Sequence, residues 1–116
     1  MEKRMNKKEL LNLLKTLKLD KNEYWILSSS ALVLRDLFPD AGDLDIAVTD
    51  KGLNQLKENY DLIQKDNGWY MVSDKIECVC DGNKDNLINQ PELVCNYYVQ
   101  NINDYYNYLL SSEREK

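Results

Sequence analysis

The sequence predicts an α+β fold, and three observations support that prediction. Apolar residues recur at helical spacing in several segments of the first 60 residues. Residues 60–80 instead carry short apolar runs separated by turn residues, which is the pattern of an antiparallel meander. A length of 116 residues is enough for one hydrophobic core and too short for a second substantial domain. We therefore expect one domain that spans residues 1–116.

The first helix is predicted at residues 7–17, where leucines recur at positions i, i+3, i+4 and i+7. Asn6 and Glu9 have the spacing of a capping pair at the start of this amphipathic helix. A polar turn follows, and then a short apolar strand at residues 24–27 that ends at a run of three serines. The first helix is expected to dock on the sheet through its leucines.

The second helix is expected to start near Ser29 and to stop at Pro39, which cannot continue a helix. Residues 43–48 then alternate between polar and apolar side chains and predict a strand. Asp50 is a candidate cap for a third helix that runs to about residue 59. Strand, turn, helix and strand therefore follow one another around the serines.

The second half of the chain is expected to be mainly β. Three antiparallel strands are predicted, at residues 60–65, 69–72 and 76–80. The turn-rich residues 81–92 predict a loop. Asn103 is expected to open a final helix, whose inward-facing residues would be Tyr106, Leu109 and Leu110.

Composition narrows the possible functions. The net charge is −5, so the overall field repels polyanions and bulk binding of nucleic acid is disfavoured. No apolar run approaches the ~20 residues of a membrane span, and the N-terminus lacks the features of a signal peptide, so we expect a cytoplasmic protein without membrane contact. The three cysteines are expected to be free thiols, and without histidine they make a weak zinc site.

Two aspartates one residue apart are the main chemical feature of the sequence. Asp43 and Asp45 would project from the same face of their strand, with Cα atoms roughly 6.5–7 Å apart. Two carboxylates at that distance repel each other, and Mg²⁺ would relieve the repulsion while keeping open positions for water or phosphate. The alternative is a solvent-exposed strand edge with ordinary turn carboxylates.

Two further features add to the aspartate pair. A helix that starts at the serines would present unpaired N–H groups, to which the Ser28 and Ser29 hydroxyls would add donors for phosphate. Glu77 is predicted to point away from the core, and it would join the aspartates if its strand lies beside theirs. Plain helix capping by serine and an ordinary outward glutamate are the alternatives.

In this order the segments WILSSSALVLRDL, GDLDIAV and KIECVC resemble the polymerase β-type nucleotidyltransferase superfamily, in particular its small bacterial and phage members. The closing segment YYVQNINDYYNYLLSSEREK is also similar to the end of those members. The resemblance covers roughly residues 24–116. It implies a nucleotidyltransferase-like, α/β sandwich-like fold with a mixed, largely antiparallel sheet and helices packed on one side.

The resemblance also implies a function, which is Mg²⁺-dependent transfer of a nucleoside monophosphate from an NTP to an acceptor hydroxyl. Asp43, Asp45 and Glu77 would be the catalytic, metal-binding residues, with two metal ions in an active enzyme. Ser28 and Ser29 would bind the nucleotide. The acceptor would be a small molecule, a protein or an RNA end, and a homodimer or a partner protein is compatible with the sequence.

The sequence departs from the family pattern in two places. The first position of the serine turn is normally glycine, because the backbone there approaches the triphosphate closely and can require a positive φ angle. The basic residue that commonly precedes the aspartates is replaced by PDAG, for which Arg35, Lys51 or Lys75 would have to substitute. A catalytically degenerate binding or regulatory module is therefore the second hypothesis.

Overall fold

The computed structural model describes residues 4–82, 89–103 and 106. Within these residues the α+β prediction is confirmed, with three α-helices and one mixed, largely antiparallel sheet of seven strands. The helices are α1 (Lys7–Thr16), α2 (Ser28–Leu34) and α3 (Asp50–Asn59). The strands are β1 (Tyr24–Leu27), β2 (Leu44–Thr49), β3 (Ile63–Gln64), β4 (Tyr70–Ser73), β5 (Ile76–Gly82), β6 (Glu92–Val94) and β7 (Tyr97–Val99).

The sheet has the strand order β3-β4-β5-β2-β1-β7-β6. The predicted meander is present, because β3, β4 and β5 pair antiparallel in sequence order. β2 pairs antiparallel with β1 on one side and parallel with β5 on the other. β7 pairs parallel with β1 and antiparallel with β6. The strand that carries Asp45 therefore lies at the centre of the sheet.

All three helices contribute to a core on one face of the sheet. Alternation along β2 sends Leu44, Ile46 and Val48 into this core, where none of them is exposed to solvent. The helices supply Leu10 and Leu14 from α1, Val33 and Leu34 from α2, and Leu56 from α3. The helices and the sheet thus form two layers, and the opposite face of β2 carries Asp45, Ala47 and Thr49.

Local sequence signals account for the ends of α1. The Asn6 side chain accepts a hydrogen bond from the Glu9 N–H, and the Glu9 side chain accepts one from the Asn6 N–H. This reciprocal capping box satisfies two N–H groups that the first turn would otherwise leave unpaired. The predicted capping pair is therefore confirmed, and α1 ends at Thr16, one residue before the predicted end.

Other predicted boundaries were wrong. α2 ends at Leu34, well before Pro39, because the chain turns into the left-handed region at Asp36 with φ 63°. α3 is capped by Thr49 rather than Asp50, since the Thr49 Oγ1 accepts the Gly52 N–H at 3.1 Å. The strand predicted at residues 60–65 is shorter in the structure, where β3 has only two residues.

The segment predicted as a loop at 81–92 contains the end of β5 and the first residue of β6, and residues 83–88 lie outside the described residues. Ile102, Asn103 and Tyr106 are helical, in line with the predicted final helix. Tyr106 is 60% exposed, so its predicted inward packing was wrong, while Leu109 and Leu110 lie outside the described residues. Among the helices that are described, none is both long enough and apolar enough to cross a bilayer.

The cysteines are free thiols, as predicted. Cys78 is fully buried in the core, and burial raises the pKa of its thiol to about 11. Cys95 is exposed and adopts a left-handed backbone conformation. Cys78 therefore contributes packing to the core.

Candidate metal centre

Two parallel strands bring the acidic residues together. The register of β2 and β5 pairs Asp45 directly with Glu77, and the two side chains point to the face opposite the helical core. Asp43 precedes the first residue of β2. The neighbouring position of the two strands, on which the three-carboxylate hypothesis depended, is therefore confirmed.

Asp43, Asp45 and Glu77 form one cluster. Each offers a carboxylate oxygen, and the three oxygens lie within 4.8 Å of one another. All three residues are half-buried. Oxygen ligands of this kind suit a hard divalent cation such as Mg²⁺, which also keeps coordination positions for water or phosphate.

The carboxyl group of Asp45 is in an unfavourable environment for a negative charge. Its Oδ1 atom is buried and has no hydrogen-bond partner among the residues that the structure describes. Burial raises the pKa of this carboxyl group to about 6, and the negative charges of Asp43 and Glu77 add to the rise. A buried carboxylate oxygen without a partner costs free energy, and a cation would satisfy it. The residues present therefore fit a divalent cation.

Lys65 also lies at the cluster, and sequence reasoning missed it. Its ammonium group donates a hydrogen bond to Glu77 Oε1 at 2.8 Å. This bond, with the charges of the three carboxylates, raises the pKa of Lys65, and Lys65 in turn opposes the rise in the pKa of Asp45. A signal existed in the sequence, since Lys65 is the last residue of the strand predicted at residues 60–65, which opens the meander leading to Glu77.

The basic residues suggested by the sequence make other contacts. Arg35 donates to Glu92 Oε1 at 2.8 Å and to the Gln100 carbonyl oxygen at 2.9 Å. The Lys75 ammonium lies 3.5 Å from the Gly42 carbonyl oxygen. No contact of Lys51 with the cluster is found in the described part of the chain.

The serine turn lies against the same end of β2. Ser30 is buried, and its hydroxyl donates to the Leu27 carbonyl oxygen and accepts the Asp45 N–H. The first turn of α2 is thereby tied to the strand of the acidic cluster. The serines do not cap α2 in the usual way, because the residue at its N-cap position is Leu27, whose side chain accepts no hydrogen bond from the first turn.

Ser28 adopts the backbone conformation for which glycine is normally selected. Its φ angle is 55°, in the left-handed region, and its N–H donates to Gln100 Oε1 at 3.3 Å. Among the described residues, the hydroxyls of Ser28 and Ser29 make no hydrogen bond. Ser28 therefore adds a Cβ at a position of positive φ, where glycine would be free of strain.

Aromatic side chains can stack on a nucleotide base, and those of this chain have different surroundings. Tyr97 is buried in the helical core, which removes it from the carboxylate face. Trp69 and Tyr70 are half-buried beside the short edge strand β3. Tyr105 and Tyr108 lie outside the described residues.

Comparisons of this chain with protein-family models, with curated proteins and with solved structures found no match.

Proposed function

We propose that this protein is a Mg²⁺-dependent nucleotidyltransferase, which transfers a nucleoside monophosphate from an NTP to an acceptor hydroxyl. The observation that supports the proposal is the cluster of Asp43, Asp45 and Glu77, whose carboxylate oxygens lie within 4.8 Å of one another. The cluster adjoins the first turn of α2, since Ser30 bonds to the N–H of Asp45. Cation ligands and candidate phosphate ligands are thus neighbours.

In this proposal the acceptor oxygen forms a bond to the α-phosphorus, the bond from that phosphorus to the bridging oxygen breaks, and pyrophosphate leaves. Asp43, Asp45 and Glu77 would hold the cation, which would supply positive charge against the charge that develops on the phosphate oxygens. Glu77 takes the proton of the acceptor hydroxyl. The acceptor is a small molecule, a protein or an RNA end.

The nucleotide is oriented by the serine turn. The hydroxyls of Ser28 and Ser29 have no hydrogen-bond partner within the described residues and are available to phosphate oxygens. The positive φ angle of Ser28 turns the chain sharply between β1 and α2, which supports close approach of a ligand to the backbone. Bulk nucleic acid is not expected to bind, because the net charge is −5.

Thermal unfolding in the presence of Mg²⁺ and each NTP tests the proposal. A ligand that binds only the native state adds about 2.7 kcal/mol to its stability at 100 times its Kd. We expect at least one NTP with Mg²⁺ to raise the Tm, and the double variant Asp43→Asn/Asp45→Asn to lose that rise. The matched control is Asp61→Asn/Asp74→Asn, which makes the same charge change at two exposed residues.

Two results of the thermal unfolding experiment would count against the proposal. If no NTP raises the Tm of the unmodified protein with Mg²⁺, the nucleotidyltransferase proposal is wrong. If the control variant loses the rise together with the site variant, overall charge and not the cluster is responsible.

A second candidate is a nucleotidyltransferase fold that binds nucleotide without turnover and acts as a regulatory or binding module. Two observations favour it, which are the serine Cβ at a position of positive φ and the ion pair that occupies Glu77. Incubation with α-labelled NTPs and a cell lysate distinguishes the two functions. An enzyme transfers label to an acceptor and releases pyrophosphate, whereas a binding module raises its Tm with NTP and releases none.

A further inference from the structure

Main-chain hydrogen bonds fix the position of the Lys65 backbone. It follows β3, its N–H donates to the Trp69 carbonyl oxygen at 2.7 Å, and its own carbonyl accepts the Gly68 N–H at 3.0 Å. These bonds close the turn between β3 and β4, in which Gly68 has φ 89°. The main chain of Lys65 is therefore fixed, while its four-carbon side chain can move.

The sheet register puts Lys65 on the carboxylate face. Ile63 pairs with Met71, Met71 pairs with Glu77, and Glu77 pairs with Asp45, so these four residues form one row across four strands. Lys65 lies two residues beyond Ile63 and shares its face. Its ammonium group reaches across β4 to Glu77, a distance of two strand spacings, or about 10 Å between the backbones.

The ammonium group of Lys65 therefore supplies positive charge to the acidic cluster. Three ionised carboxylates and one ammonium leave two negative charges, and the charges of all three carboxylates act on Lys65. The Lys65 side chain is 37% exposed, so it is free to turn toward solvent. The ammonium at 2.8 Å from Glu77 Oε1 occupies a direction from which a metal ion would approach that oxygen.

We propose that Lys65 is a displaceable counter-cation, which holds Glu77 in the cation-free protein and moves to the phosphates of the nucleotide when a divalent cation takes Glu77. This inference rests on the proposed function, because it assumes a cation at the carboxylates. Like charges repel, so a divalent cation on Glu77 expels the ammonium, and the phosphates of an NTP are the nearest new source of negative charge. Cation and nucleotide then bind cooperatively, and Lys65 acts as a positioning residue.

The test measures binding of Mn²⁺ alone, followed by its electron paramagnetic resonance signal, to the full chain and to Lys65→Met. Removing the competing ammonium should tighten Mn²⁺ binding about 5-fold or more, the lower range of couplings between bound groups in proteins. Lys57→Met removes an exposed lysine of α3 and should leave the Mn²⁺ affinity unchanged. Lys65→Arg keeps the charge and should bind Mn²⁺ as the unmodified protein does.

A second measurement adds a slowly hydrolysed NTP analogue with an α,β-methylene bridge in the presence of saturating Mn²⁺. The unmodified protein and Lys65→Arg should bind it about 5-fold or more tightly than Lys65→Met. A lysine that only stabilised the fold would weaken both ligands or neither. Lys65→Gln keeps a hydrogen-bond donor without the charge, and it replaces Lys65→Met if the methionine variant does not fold.

The failures of the two proposals are distinguishable. If neither the unmodified protein nor any variant binds Mn²⁺, the metal centre and with it the role of Lys65 are overturned. If the unmodified protein and Lys65→Met bind Mn²⁺ equally, the counter-cation role alone is overturned and the carboxylate site stands.

Discussion

Replacing Asp45 with asparagine should stabilise the cation-free protein at neutral pH. The carboxyl group has a pKa of about 6 in the native state, against an ordinary value of 3.8, because burial and two neighbouring carboxylates disfavour its charged form. The native state therefore holds this proton to a higher pH than the unfolded state does. The ionised form of Asp45 opposes folding at pH 7.

The direction of the pH dependence follows from this difference. Below about pH 4 the group is protonated in both states and Asp45 carries no penalty. As the pH rises from 3.8 to about 6, the unfolded chain loses the proton first, and the free energy of unfolding falls. Above about pH 6 the penalty is complete. The neighbours that set it are Asp43 and Glu77, which raise the pKa, and Lys65, which lowers it.

An interval of about two pH units between the two pKa values corresponds to about 3 kcal/mol. The side chain is only half-buried, and solvent screening reduces this figure to about 1–2 kcal/mol. For a chain of this length that is a rise in Tm of roughly 3–8 °C. Asp45→Asn should show this rise at pH 7 and lose most of it at pH 4.

The assay is chemical denaturation at pH values from 4 to 8 in a buffer that contains a metal chelator. Asp61→Asn serves as the control, because Asp61 is exposed and its replacement should change stability by less than about 0.5 kcal/mol. A loss of stability in Asp45→Asn at pH 7, or a gain that is equal at pH 4 and pH 7, would refute the argument from a desolvated carboxylate.

Three further predictions concern the fold around the site. Ser28→Gly should leave the free energy of unfolding within about 0.5 kcal/mol or raise it, because glycine adopts a positive φ angle without strain. Ser29→Gly in the same turn should lower the free energy of unfolding by about 0.5 kcal/mol. Equal losses for the two variants in denaturant titrations would contradict this prediction. Gly52→Ala should lower the free energy of unfolding by about 1–2 kcal/mol, since the new Cβ would lie 2.6 Å from the backbone oxygen of Glu23, just before β1. An unchanged denaturation midpoint would show that the segment before β1 shifts to make room for the Cβ. A thiol reagent should label the exposed Cys95 in the native protein and Cys78 only after unfolding; early labelling of Cys78 would show that its strand opens.

Local features of this fold were accessible from sequence. The capping box of α1 and the alternation along β2 each depend on residues within a few positions of one another, so they can be recognised in the chain itself. The faces of Asp45 and Glu77 were predicted in the same way, because side chains alternate along any strand. Ser28 was recognised as a departure from the glycine of the family pattern, and only the structure gives its φ angle of 55°.

Boundaries that depend on distant contacts were predicted less well. α2 ends at Leu34 although its leucine spacing continues to Leu37, and the chain enters the left-handed region at Asp36, whose carboxylate accepts a hydrogen bond from Lys7 of α1. Strand β3 has only two residues, although the apolar residues Tyr60 and Leu62 precede it. In both cases the local apolar pattern is longer than the element that forms.

The sequence by itself determined the types of the main elements, the face on which each carboxylate lies and the presence of a sharp turn at the serines. Only the tertiary structure decided that β5 lies beside β2 in a register that pairs Asp45 with Glu77, and that Lys65 reaches the same cluster from the turn after β3. The physical reason is the range of the interactions. Side-chain alternation and capping act between residues close in the chain, whereas strand order and register follow from packing a single core among segments that are far apart in sequence.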